Sequence, residues 1–167
     1  QYLGGHIVLL SFVYSTCSDV AGCPLATAVF YRIKRRLESE SGLARHLRLV
    51  TLSFDPAQDT PEVMRLYGAG LKGEGVDWHF LTTAGATQLR PILSAYRQPV
   101  QTEYDAEGQP TGTFSHLLRV YLIDPERRIR NIYSVAYLHP DLLLSDAKTL
   151  LLESGPETVA TSSAGGD

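Results

Sequence analysis

The chain is 167 residues long, 44% hydrophobic and 20% charged, with a formal net charge of −3. That length builds one domain around a single core, and the mildly acidic balance argues against a chain specialised for nucleic acid or anionic membrane. No apolar run approaches the ~20 residues of a membrane span, and two cysteines are too few for a disulfide-stapled scaffold.

Gln1 stands just ahead of Gly4-Gly5 and the first strand, so the chain reads as an excised piece whose start says nothing about targeting. His6 to Tyr14 (HIVLLSFVY) is a nearly continuous apolar run, the pattern of a strand buried on both faces. From Pro24 the period changes. Leu25, Val29, Ile33 and Leu37 fall four apart, which predicts an amphipathic helix ending near Ser41-Gly42. Lys34, Arg35 and Arg36 lie mostly off the stripe and read as a solvated face. Cys17 and Cys23 therefore sit together at a strand-to-helix junction, where helix N-terminal amides favour thiolate over thiol. Such a pair can form a disulfide, exchange one, or hold a soft metal.

His46 to Phe54 is a second strand, ended by Asp55-Pro56. Thr60-Pro61-Glu62 reads as N-cap, first helical position and first-turn acid of a helix reaching about Gly68. Trp78 to Leu81 is a short third strand. Thr87 to Tyr96 is a helix kinked or started near Pro91, and Val100 to Tyr104 is a strand leading into the polar turn Asp105 to Gly108. Leu117 to Ile123 and Arg130 to Val135 flank Asp124-Pro125-Glu126-Arg127 as a hairpin, and a last helix fits Pro140 to Leu152. The order predicts an α/β fold: a thioredoxin-like central sheet with flanking helices and a C-terminal β-hairpin plus helix. The domain covers residues 1–152, and 153–167, rich in Ser, Gly and Thr, reads as a disordered tail or linker.

Several segments match one family together: Phe12-Val-Tyr-Ser-Thr-Cys17, Cys23-Pro24-Leu25, Val50 to Pro56, Asp59-Thr60-Pro61-Glu62, Trp78 to Leu81, and His116 ahead of Tyr121 to Pro125. In that order they resemble the Sco (SenC) family of thioredoxin-like copper metallochaperones, which serve assembly of the dinuclear copper site of cytochrome oxidase. The resemblance implies that Cys17, Cys23 and His116 bind one copper ion. The donor set agrees with that chemistry, since thiolates select Cu(I) and imidazole suits either oxidation state. The resemblance further implies a copper-accepting respiratory partner and a periplasmic or other extracytoplasmic place with a membrane anchor upstream; the tail read as a linker points separately to a fused or partner domain such as a cytochrome.

The chain departs from the family's usual Cys-Pro-x-x-Cys-Pro. Five residues, Ser18 to Gly22, separate the thiols, and Ser18 replaces the first proline. Gly22 opens conformations closed to other residues, and so short a loop costs little to close. Asp19 within it reads as solvated. His6, His46, His79 and His139 lack partners at metal-ligand spacing, Asp55 and Asp59 read as turn and cap chemistry, and Tyr14 and Tyr121 read as core residues. A general disulfide exchanger would place a cis-proline before the strand facing its thiols; here Phe114-Ser115-His116 occupies that segment and the nearest proline is Pro110. Two rivals to the copper carrier stand beside it. One is a thiol–disulfide reductase using Cys17 and Cys23 as its redox pair with His116 as a nearby base. The other is an interaction or redox-sensing module.

Overall fold

The structure, a computed structural model, describes residues 2–73 and 75–153. The proposed tail lies outside them except for Glu153, which ends the last helix. Strand β1 (Ile7–Val13) is buried along its whole length, which is why its sequence shows no alternation. It runs parallel to β2 (Leu47–Ser53), and β2 runs parallel to β3 (Asp77–Leu81). On its other side β1 meets β6 (Arg119–Ile123) antiparallel, and β6 meets β7 (Ile129–Ser134), giving the order β3-β2-β1-β6-β7. This is the predicted thioredoxin-like plan: a parallel core extended by an antiparallel hairpin.

The connections carry helices. Helix α1 (Cys23–Leu37) packs on β1 and on α5 (Pro140–Glu153), burying Val29, Phe30, Ile33 and Leu37. It stops at Leu37, and a separate turn of helix, α2 (Ser41–Ala44), follows where the sequence pattern had run on. Lys34 corrects its expected exposure: it is buried, its Nζ 2.7 Å from Glu38. Helix α3 (Pro61–Ala69) is capped by Thr60, whose hydroxyl accepts from the Val63 amide at 3.3 Å. Helix α4 (Ala86–Ala95) starts before Pro91 and continues through it.

The main departure lies between α4 and β6. The expected strand β4 (Val100–Tyr104) is present, but a second strand, β5 (Pro110–His116), returns antiparallel beside it and forms a separate two-stranded sheet. Neither pattern nor propensity marks β5, because its burial barely alternates and it holds Pro110 and Gly112. Val100 pairs with His116, so the histidine closes this ribbon instead of opening the next strand.

Candidate metal centre

The site forms where β1 ends. Tyr14 follows the strand, and the chain turns at once, the Cys17 amide donating to the Tyr14 carbonyl at 3.2 Å. Asp59 anchors this turn. Its carboxylate accepts from the Ser15 amide at 3.0 Å, from the Ser15 hydroxyl and from the Ser53 hydroxyl at the end of β2. Asp59 is 1% exposed, so it is a buried tie between the thiol loop and the sheet, beyond the turn role its sequence implies. Parallel pairing of β1 with β2 brings Ser15 and Ser53 to the same sheet edge, a proximity that the sequence does not mark.

The five-residue spacer folds on itself. Asp19 is exposed, as expected, yet its side chain accepts from the Ala21 amide at 3.0 Å and its carbonyl from the Gly22 amide at 2.9 Å. The loop passes through Gly22 at φ −96° and ψ −127°. What it needs is space. A Cβ there would sit 3.2 Å from the Asp19 carbonyl oxygen.

Cys23 starts α1 and is 1% exposed, whereas Cys17 is half-buried; both are free thiols. The expected thiolate bias of the helix start does not prevail at Cys23. Burial first, with the neighbouring Cys17 also acting against charge, pushes its thiol well above the ordinary value. The magnitudes agree, since a helix end supplies about 1 kcal/mol whereas full burial moves a pKa by several units. Burial, followed by contact with Cys17, also raises the Tyr14 hydroxyl to about 12.

His116 completes the group from the other sheet. Its Nδ1 lies 3.3 Å from the Phe114 carbonyl, and a proton on that nitrogen leaves the Nε2 lone pair facing Cys23 Sγ, 3.6 Å away. The ring is held by Phe54 and Tyr14, with centroids 4.9 and 5.8 Å distant. Tyr14 thus walls the site as well as the core, whereas Tyr121 lies elsewhere, donating to the Tyr96 carbonyl at 2.9 Å. Asp55 is buried at the end of β2, which raises its carboxyl, and its amide donates to the Ser53 hydroxyl at 3.0 Å.

The Cys23–His116 spacing suits shared coordination. With metal–sulfur and metal–nitrogen bonds of about 2.3 and 2.0 Å, a trigonal angle separates S from N by about 3.7 Å and a tetrahedral one by about 3.5 Å. Among the described residues, no group of three or more His, Cys, Asp and Glu side chains is gathered closely enough to hold a metal ion. The structure therefore brings together two of the three expected donors at bonding geometry and leaves Cys17 beside them on the loop. Cys17 opens on a hollow of about 590 Å³ lined by Pro24, Thr27 and Tyr67, and His116 on another of about 330 Å³ with Asp19 and Glu103. His79 pairs with Asp77 at 2.6 Å and His139 lies 3.4 Å from Asp141, so neither joins the site.

Residues 1–152 match the family described as SCO1/SenC. The SCO1 protein homolog of Bacillus subtilis is 23% identical over 150 residues, covering 89% of this chain and 73% of the relative. Among solved structures, Bradyrhizobium japonicum ScoI with copper bound superposes with a TM-score of 0.69 at 22% identity, over 89% of this chain and 87% of its own. A SCO1/SenC family lipoprotein from Bacillus anthracis superposes with a TM-score of 0.72 at 22% identity, over 89% and 83%.

Proposed function

The chain belongs to the SCO1/SenC family, and from that premise we propose that it is a copper carrier in which Cys17, Cys23 and His116 hold one ion for delivery to a respiratory copper site. The observation that carries this reading is the 3.6 Å approach of His116 Nε2, on the two-stranded ribbon, to Cys23 Sγ, at the start of α1. Burial keeps water from the Cys23 sulfur, so once its proton is displaced the thiolate charge is best met by a soft cation held against it. The looser Cys17 is the arm that closes on the ion and later opens for ligand exchange. The recipient is a copper-accepting respiratory protein of the cytochrome oxidase class, and the place is extracytoplasmic, with a membrane anchor. No helix among the described residues is long and apolar enough to cross a membrane.

The test is Cu(I) stoichiometry and affinity on the reduced protein against a competing chelator, for wild type, Cys17→Ser, Cys23→Ser and His116→Ala. One ion per chain is expected, with each variant weakened by more than the 10–100-fold that loss of a supporting partner costs. Binding no stronger than the chelator background, with the thiols intact, would end the reading.

One observation favours a second activity at the same site. Cys17 is half-exposed and Cys23 is buried as a neutral thiol, the asymmetry of an attacking and a resolving cysteine in disulfide exchange. The protein would then reduce the copper-ligand cysteines of its target before loading them. His116→Ala separates the two activities: copper binding collapses, whereas exchange with a model disulfide is only slowed.

A further inference from the structure

Behind the histidine lies a groove of about 640 Å³ formed by the end of α4, the start of β4 and the start of β6. Arg90, Arg97 and Arg119 line it, and none of them makes an ion pair among the described residues. They are three of the six arginines without a carboxylate partner among the described residues, with Arg32, Arg45 and Arg127, and the groove gathers them in one place; Arg35, Arg36, Arg48, Arg65, Arg128 and Arg130 are each matched. The imbalance is written in the sequence. The groove residues, between 90 and 100 and at 119, lie in stretches 78–102 and 108–123, which contain no Asp or Glu in a chain that holds 18.

The groove is built, not incidental. Arg97 sits at φ 47° just past α4, a left-handed position that glycine takes without strain and arginine does not. Its carbonyl accepts from Arg119 Nη1 at 2.8 Å, which fixes the second guanidinium across the groove. Gln98, 4% exposed, donates to the Leu117 carbonyl at 2.7 Å and accepts from the Tyr121 hydroxyl at 3.0 Å. The floor of the groove is thereby tied to the residue after His116, and Val100 on its wall pairs with His116 itself.

We propose that this groove is the docking site for a carboxylate-rich surface of the protein that exchanges copper with this one. The proposal rests on the copper-carrier reading for the partner's identity. Three cations without ion-pair partners on a net-negative molecule orient an acidic partner by that face, and the groove places the bound partner beside the proposed copper ligand His116.

The probe is a fluorescein-labelled octaglutamate peptide, titrated by anisotropy at low and physiological salt into the copper-free protein. Peptide binding is thus read separately from copper binding, and failure of one does not imply failure of the other. Arg90→Gln and Arg97→Gly are each expected to weaken binding by about two- to fivefold, and added salt to weaken it in wild type. Arg97→Gly relieves the left-handed strain, so its loss of binding cannot be laid to misfolding. Arg65→Gln, the same charge change on α3, is expected to leave binding unchanged. Equal weakening by Arg65→Gln, or no binding in wild type, overturns the proposal. So does sedimentation with phosphatidylglycerol vesicles that depends on Arg90 while the peptide does not bind, which would assign the groove to a lipid headgroup.

Discussion

At Cys23 a buried sulfur waits with its proton on, and that proton sets how the site responds to pH. Metal binding must expel it, so apparent copper affinity is expected to rise about tenfold per pH unit for each thiol proton displaced. For Cys23 the rise should continue past the ordinary thiol pKa of about 8.5, because burial has pushed its own value higher. Chelator competition from pH 6 to 10 measures the slope, and a plateau near pH 8 would mean that Cys23 is not displaced. The same shift acts on stability with the opposite sign. A thiol whose folded value lies above its unfolded value stabilises the fold fully below the unfolded value, and that stability drains away as pH rises toward the folded one. Copper-free protein should therefore melt at falling temperature above about pH 8.5, and Cys23→Ala should lose less over that range. Asp59 is the other residue on which the site leans. Asp59→Ala strands the Ser15 amide and the hydroxyls of Ser15 and Ser53, a loss of about 1–3 kcal/mol. Denaturant melts should show it together with weaker copper binding, and an unchanged midpoint would remove the anchoring role.

Elements were legible in the sequence where one period governs them. The unbroken run of β1 and the four-residue stripe of α1 each report a single buried surface. Strand β5 was not legible, because PTGTFSH packs little of either face and its pairing depends on a bulged ribbon with β4. The three proposed donors were picked out by motif, but the anchoring role of Asp59 was not legible, since its partners meet it only once β1 and β2 are aligned. Lys34 was misread for a related reason: the periodicity marks a face as off the stripe and cannot show what covers it. Close packing between elements depends on two glycines in a way that can be measured. At Gly68 of α3 a Cβ would lie 2.4 Å from the Phe80 ring of β3. Gly68→Ala is therefore expected to destabilise by about 1–3 kcal/mol through overpacking, even though alanine is favoured over glycine in a helix by about 1 kcal/mol. At Gly22 the added methyl presses on the Asp19 turn, so Gly22→Ala should change copper affinity more than it changes the melting temperature.

Across the whole molecule, two structures of unequal strength share the proposed copper site. The thiols sit on the loop and helix start that follow the buried central strand of a five-stranded sheet, and the imidazole belongs to a two-stranded ribbon whose residues are mostly exposed. A lone hairpin is marginally stable in water, so amides of β4 and β5 are expected to exchange with solvent well ahead of those of β1 and β2. Copper loading should slow the ribbon selectively, because the ion would fasten it to the stronger sheet. Hydrogen exchange of the free and loaded protein checks both statements, and uniform protection in the free protein would contradict them. The division also bears on how a carrier lets go. A clasp with one jaw on a firm frame and the other on a light arm opens by lifting the arm. A recipient that pulls the ribbon aside can take the ion while the frame, its core and the buried Cys23 sulfur stay in place.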